Sequence, residues 1–125
     1  MAVFHPFWRQ SAVATDVERD AGVALAQKRS HRDSDTDADL EAVLRWGRTQ
    51  PEYNGRAVAL GICFGGRFAL RAAAAGEVDA AATWHGGGLD SLVGLAPQVS
   101  VPIAMDFGAA DPIVSLEAVD RIRAA

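Results

Sequence analysis

Residues 61–66 read Gly-Ile-Cys-Phe-Gly-Gly, and the neighbouring segments are arranged around this stretch. An apolar run at residues 57–60 precedes it, and an alanine-rich segment at residues 67–75 follows it with the composition of a helix. A strand, a tight turn and a helix around a G-x-nucleophile-x-G pattern indicate a nucleophile elbow. Cys63 stands where such an elbow usually has serine.

The glycines and the following helix give this interpretation a physical basis. A strained turn leaves little room for side chains two residues before and after the nucleophile, which favours Gly61 and Gly65. The amino end of the helix presents N–H groups and a positive dipole to the sulfur of Cys63, which favours the thiolate. On this stretch alone, a buried cysteine that packs as a small apolar side chain remains an open alternative.

The composition is that of one soluble globular domain. The chain has 125 residues, of which half are hydrophobic and 22% are charged, and its net charge is −4. A weakly negative chain has no general electrostatic reason to bind nucleic acid or an anionic membrane. The single cysteine cannot form an intrachain disulfide, and the first residues lack the pattern of a signal peptide. We therefore expect a cytoplasmic protein without nucleic-acid or membrane partners.

From residue 56 onward, short apolar segments alternate with helical ones. Strands are predicted at residues 57–63, 80–85 and 101–107, and helices at residues 67–75 and from Ser115 onward. This alternation predicts an α/β fold of three αβα layers, in which helices cover both faces of a mainly parallel sheet. Functional residues of such folds gather at the carboxyl ends of the strands, where Cys63, His85 and Asp111 are predicted to lie.

The first half of the chain is less regular. Residues 1–10 are predicted to be a strand end and a loop, residues 11–27 at most weakly helical, and residues 28–39 a solvated loop of mixed charge. A metal or phosphate site in that loop is the less favoured alternative, because the glycine and final glutamate of a calcium loop are missing. Thr36 and Asp39 have the spacing of a capping box, which predicts a helix that starts there and ends by Pro51.

Four stretches in order resemble the dienelactone hydrolase family, a branch of the α/β-hydrolase superfamily that uses a cysteine nucleophile. They are residues 7–10, residues 39–55, residues 61–66 and residues 107–114. The resemblance implies a partial α/β-hydrolase domain over residues 1–125 that hydrolyses an enol-lactone of the carboxymethylenebutenolide class. It implies a lactone or ester as partner and neither a metal nor an organic cofactor. Another carboxylesterase of the superfamily, or a remnant without catalysis, remains an alternative.

The resemblance also implies a role for individual residues. Cys63 is expected to be the nucleophile, the N–H of Phe64 a donor to the oxyanion, and Asp111 the acid that orients a histidine. Arg9 is expected to bind the carboxylate of the substrate, and His85 to line the substrate pocket. Without the resemblance, a turn residue before Pro112 is the favoured interpretation of Asp111, and Arg9 is equally well a surface arginine.

The chain also departs from the family pattern. The family places its catalytic histidine after the acid, and residues 113–125 contain none. We therefore expect a domain truncated at both ends, with an open sheet edge beside residues 57–63 that favours self-association. A catalytic role for His85 is the weaker alternative, because a base must lie within hydrogen-bond reach of the sulfur. His5 and His31 are expected to be structural or solvated.

Overall fold

The computed structural model of the chain describes residues 1–3, 5–10 and 20–125. Within these ranges, helices α1 and α2 precede an alternation of strands and helices. The elements are α1 (Ala21–Ser30), α2 (Asp33–Arg48), β1 (Val58–Ile62), α3 (Gly66–Ala74), β2 (Ala80–Trp84), β3 (Ile103–Asp106) and α4 (Leu116–Ala124). Short 3-10 segments at Cys63–Gly65 and Leu89–Gln98 join β1 to α3 and β2 to β3.

The three strands form a parallel sheet in the order β1-β2-β3. The register pairs Ile62 with Trp84, and Trp84 with Asp106, so the carboxyl ends of all three strands lie at one edge of the sheet. The predicted α/β fold with a parallel sheet is confirmed. In the described part of the chain β1 has one neighbouring strand, so its other side is an edge.

Helix α3 covers one face of the sheet and forms the core with it. Its side chains in the core cluster are alanines, which allow the helix to approach the strands closely, and Ala73 is completely buried. The core cluster consists of Ala69, Ala72, Ala73, Val78 and Ala81. Helix α2 packs beside α3 and adds Leu40 and Leu44 to the rim of this cluster. The buried face therefore fixes α3, and with it the turn that precedes α3.

The opposite face of the sheet is exposed in the described residues. Val58, Leu60 and Ile62 of β1 are 66%, 58% and 57% exposed, and Trp84 of β2 is 49% exposed. Residues two apart on a strand share a face, and the register places these four side chains on the same side. The sequence predicted helices on both faces of the sheet. In the described part of the chain, the helix that packs on the sheet is α3, which covers the face opposite to these side chains. Buried parallel strands are apolar on both faces, which explains the apolar character of this surface.

Several local signals gave the right helix ends, and one did not. The helix predicted at residues 67–75 ends in α3 as expected, and Gly76 follows it with a φ of 70°, a conformation in which glycine commonly ends a helix. Ser115 caps α4 by accepting a hydrogen bond from the N–H of Ala118. The capping box at Thr36 was wrong, because α2 already begins at Asp33 and Thr36 is buried inside it.

The predicted solvated loop at residues 28–39 was also wrong. Helix α1 runs to Ser30 and α2 begins at Asp33, so two residues separate them. Arg67 of α3 binds Asp33 at 2.8 Å, and Arg71 binds Asp37. Residues 6–10 form turns and not the predicted strand end, and residues 11–19 lie outside the described residues.

Candidate active site

Cys63 lies in a strained turn between β1 and α3. Its φ is 52°, a value that residues other than glycine rarely adopt, and its side chain is exposed. The 3-10 turn Cys63–Gly65 leads directly into the first residue of α3. The backbone of an elbow is therefore present, with the sulfur accessible at the amino end of a helix.

Glycine is required before this turn at position 61, where a side chain would overlap the backbone of the turn, and after it at position 66, where α3 packs against the end of β2. A Cβ at Gly61 would overlap the carbonyl of Gly65, so position 61 accepts no side chain. A Cβ at Gly65 would meet no atom within 4 Å, so the expected collision at this second position does not occur. A Cβ at Gly66 would lie 3.0 Å from the Cα of Gly86, where α3 approaches the end of β2. The glycines thus bring the Cys63 turn and the segment after β2 into contact.

His85 is the first residue after β2 and sits beside the Cys63 turn. Its φ is 51°, and its backbone N–H donates to the carbonyl of Asp106 at 3.0 Å. Because Ile62 pairs with Trp84, Cys63 and His85 each follow the last paired residue of two adjacent strands. The imidazole is 65% exposed, so it faces solvent at this edge of the sheet.

Asp111 lies in the turn after β3 and faces His85. Its Oδ1 accepts hydrogen bonds from the N–H of Ile113 at 2.7 Å and of Val114 at 3.2 Å. Its Oδ2 is 3.9 Å from Nδ1 of His85, and its side chain is 14% exposed. The N–H groups of Ile113 and Val114, and to a lesser degree the charge of His85, lower the pKa of Asp111. The carboxylate is therefore held ionised beside the imidazole.

Phe64 joins the elbow to an aromatic cluster formed by Phe7, His31, Phe64 and Phe68. Its ring stacks on Phe7 with centroids 5.5 Å apart and meets His31 and Phe68 edge-on. Nζ of Lys28 lies 5.6 Å from the centroid of the same ring. These contacts hold the Phe64 ring and thereby the turn that contains it. The backbone N–H of Phe64 is the predicted oxyanion donor.

His31 is part of this cluster, and the sequence did not predict its aromatic contacts. Its Nε2 lies 2.9 Å from Oγ1 of the buried Thr36, and its ring meets Phe7, Phe64 and Phe68 edge-on. Burial lowers the pKa of His31, against the opposing effect of the nearby carboxylates. Of the two roles expected for His31, structural or solvated, these contacts agree with the structural one.

Arg9 is held by α2. Its Nε and Nη2 donate to the carboxylate of Asp39, which also accepts the indole N–H of Trp8 at 2.6 Å. Burial opposes ionisation of Asp39, but the bonds from Arg9 and Trp8 outweigh it and lower the pKa of that carboxyl. Asp39 raises the pKa of Arg9 in turn. The guanidinium is therefore oriented by an internal partner, while its side chain is 46% exposed.

The structure brings the predicted residues together in two groups. Cys63, His85 and Asp111 share the carboxyl edge of the sheet. Arg9 lies on the turn of residues 5–10, which meets the elbow where Phe7 stacks on Phe64. Among the described residues, no three His, Cys, Asp or Glu side chains group as metal ligands. The described helices include none with the length and apolarity needed to cross a membrane.

Comparison with known proteins gives a family that matches the whole length of the chain. The model described as "Dienelactone hydrolase family" matches residues 1–125. Carboxymethylenebutenolidase 1 of Cupriavidus pinatubonensis (strain JMP 134 / LMG 1197) is 33% identical over 118 residues. Carboxymethylenebutenolidase of Pseudomonas putida is 40% identical over 76 residues.

The two alignments cover a larger share of this chain than of either relative. The first alignment covers 90% of this chain and 49% of the relative, and the second covers 61% of this chain and 32% of the relative. The chain therefore spans about half the length of the first of these curated relatives and about a third of the second.

Proposed function

The chain belongs to the dienelactone hydrolase family, and from this premise we propose that the protein hydrolyses an enol-lactone or a related ester with Cys63 as nucleophile. The observation that carries the proposal is the turn at Cys63, where an exposed thiol with a φ of 52° joins a parallel strand to a helix. The relatives named carboxymethylenebutenolidase support a lactone as substrate.

The proposed reaction proceeds through a thioester. The sulfur of Cys63 attacks the carbonyl carbon of the lactone, and the N–H of Phe64 donates to the oxyanion that forms. The carbon–oxygen bond of the ring breaks, its enolate oxygen takes up a proton, and water then hydrolyses the thioester. Asp111 orients the imidazole that moves the protons; its ionised state, maintained by the N–H groups of Ile113 and Val114, suits this role.

Arg9 is proposed to bind the carboxylate of the substrate. Two of its nitrogens are engaged by Asp39, so Arg9 approaches the substrate in an orientation that α2 determines. Asp39 is mostly buried and would be costly to leave unpaired, so substrate binding adds a partner to Arg9 and does not displace Asp39. Since Phe7 stacks on Phe64, the Arg9 turn is packed against the elbow. His85 is proposed to line the substrate pocket between the Arg9 turn and the elbow.

Two further proposals concern the surroundings of the protein. We propose self-association through the open side of β1 and the exposed apolar face that includes Leu60 and Trp84. We also propose a cytoplasmic location, which a chain with one cysteine and no possible intrachain disulfide supports.

The experiment that tests the proposed function is trapping of the acyl-enzyme. Attack on a lactone opens the ring without releasing a fragment, so the thioester adds the full mass of the substrate to the peptide that contains Cys63. We expect this adduct by mass spectrometry after a rapid acid quench, and its loss in Cys63→Ala. Hydrolysis of the lactone at an undiminished rate by Cys63→Ala would contradict the proposal.

A further inference from the structure

We propose that Lys28 of α1 is a specificity-determining residue that binds a second acidic group of the substrate, so that the site prefers molecules with two carboxylates. The proposal rests on the proposed function, since it takes Cys63 as the reacting group and Arg9 as the site of the first carboxylate. It adds a residue and a substrate class to that site. The position of Lys28, its uncompensated charge and its connection to the Arg9 turn support it.

Lys28 lies next to the elbow, although it is far from Cys63 in sequence. Its Nζ is 5.6 Å from the centroid of the Phe64 ring, and Phe64 is the residue that follows Cys63. The electron-rich face of an aromatic ring attracts a cation, so the ammonium group has a preferred position beside the elbow. Lys28 and Cys63 are both exposed, so a molecule that approaches the thiol from solvent meets this positive charge.

The charge of Lys28 is not compensated by a carboxylate in the described part of the chain. Its ammonium group contacts the Phe64 ring, and none of the described aspartates and glutamates pairs with it. Arg9, in contrast, pairs with the mostly buried Asp39. The whole chain has a net charge of −4, which on average repels an anion. An unpaired cation beside the nucleophile therefore attracts acidic ligands locally, against this average.

Hydrogen bonds join α1 to the Arg9 turn at the position of Lys28. The side-chain amide of Gln10 donates to the carbonyl of Gln27 at 3.3 Å, and Oγ of Ser30 donates to Oε1 of Gln10 at 3.3 Å. Gln10 follows Arg9, and Gln27 precedes Lys28. The two basic residues therefore each adjoin one partner of the same hydrogen bond, which keeps α1 and the Arg9 turn side by side.

The two cations flank the stacked rings of Phe7 and Phe64. Phe7 lies two residues before Arg9, Lys28 contacts Phe64, and the ring centroids are 5.5 Å apart. Both rings are half-buried, so part of each is available to a planar carbon chain. Two positive charges beside an aromatic surface suit an unsaturated molecule with two carboxylates. Hydrolysis of a lactone that already carries a carboxylate yields such a dicarboxylate, so the product belongs to the same class.

The test measures protection of Cys63 from iodoacetamide, which requires no hydrolysis. The probes are linear dicarboxylates from butanedioate to octanedioate, each compared with the monocarboxylate of the same chain length. We expect at least one dicarboxylate to protect Cys63 at a concentration about tenfold lower than its monocarboxylate, the lower end of what a charge-assisted hydrogen bond contributes. Added salt should reduce this advantage.

Variants of α1 assign the advantage to one residue. It should disappear in Lys28→Gln, which removes a charge from an exposed side chain, and remain in Lys28→Arg, which keeps the charge. Arg29→Gln is the matched control, because it removes the same charge from the next exposed residue of α1, and it should keep the advantage. Equal protection by both classes of acid in the unmodified chain, or an equal effect of Lys28→Gln and Arg29→Gln, would overturn the proposal.

Trapping of the acyl-enzyme separates this inference from the proposed function. If the lactone adduct forms on Cys63 but dicarboxylates protect Lys28→Gln as well as the unmodified chain, the hydrolase proposal stands and the role of Lys28 is overturned. If no adduct forms but protection by dicarboxylates depends on Lys28, the site for two carboxylates stands and the hydrolase proposal fails.

Discussion

The carboxylate of Asp39 holds the guanidinium of Arg9 through two of its nitrogens, across 30 residues of sequence. Asp39 lies on the buried side of α2 and also accepts the indole N–H of Trp8, while the Arg9 side chain is half exposed. The guanidinium also lies 4.8 Å from the centroid of the Trp8 ring. A substrate carboxylate would therefore meet an arginine whose position is determined by α2 and by its neighbour in sequence.

Replacement of Arg9 should separate acidic from neutral substrates. We expect Arg9→Ala to reduce kcat/KM for lactones with a free carboxylate by about ten- to hundredfold, since a charge-assisted hydrogen bond contributes roughly 1.5–3 kcal/mol. Neutral esters should be nearly unaffected. Arg32→Ala is the control, because the pair between Arg32 and Asp35 is exposed. Equal losses on both substrate classes would assign Arg9 a structural role.

Replacement of Asp39 should lower stability and disorder Arg9. In Asp39→Asn the amide keeps one acceptor for Trp8 but loses the charge that pairs with Arg9. We expect a loss of about 1–2 kcal/mol in the free energy of unfolding, less than for a fully buried pair because Arg9 is half exposed. Urea denaturation measures it, and Asp35→Asn, whose partner Arg32 is exposed, should cost less than about 0.5 kcal/mol.

The sequence predicted those parts of the structure that local patterns determine. The apolar run at residues 57–63 contains β1, and the glycines around Cys63 correctly indicated the elbow, since both features depend on neighbours in sequence. Ser115 was recognised as the start of the last helix for the same reason. The predicted order of strands and helices then placed Cys63, His85 and Asp111 at one edge of the sheet.

Contacts between distant segments were beyond this reasoning. The acidic residues of α2 were interpreted as solvated because their arginine partners lie 34 positions away, on α3. His31 was placed in a polar loop because Phe64 and Phe68, which enclose it, belong to another part of the chain. The contact between Asp111 and His85 likewise joins two loops, and no spacing rule predicts the distance between them.

Cys63 should react faster than an ordinary exposed thiol. Its exposed sulfur lies at the amino end of α3, where unpaired N–H groups and the positive end of the helix dipole face the sulfur as it attacks iodoacetamide. The matched control is Cys63→Ala combined with Ala75→Cys, which places an exposed thiol at the carboxyl end of the same helix, where the dipole has the opposite sign. We expect alkylation near neutral pH to be several-fold faster at position 63. Equal rates at positions 63 and 75 would remove the electrostatic argument for the elbow.

The stability of the chain should fall between pH 7.5 and pH 5.5 because of His31. Burial lowers the pKa of His31 in the folded state, so the unfolded chain, whose histidine titrates near 6.5, binds the proton first. The stabilisation is therefore present above the unfolded pKa and is lost as the pH falls towards the folded one. Urea denaturation at both pH values measures this loss.

His31→Gln provides the control for that pH dependence. Glutamine can still bond Thr36 but carries no charge at either pH. We expect His31→Gln to be less stable than the unmodified chain at pH 7.5, because the edge-on contacts with Phe64 and Phe68 are lost. Its stability should nevertheless change less between the two pH values. An identical pH dependence in both proteins would show that another group causes it.

The exposed face of the sheet should make the 125-residue chain self-associate. Leu60 and its neighbours on β1 place apolar side chains beside an unpaired strand edge, and such an edge pairs readily with another chain. A lysine on an edge strand opposes this pairing, so we expect Leu60→Lys to shift the chain towards monomer. Leu116→Lys is the matched control, because Leu116 is 61% exposed, as Leu60 is at 58%, but lies on α4. Sedimentation velocity over a hundredfold range of concentration distinguishes the outcomes: a chain that stays monomeric throughout, or equal shifts in both variants, would exclude β1 as the contact.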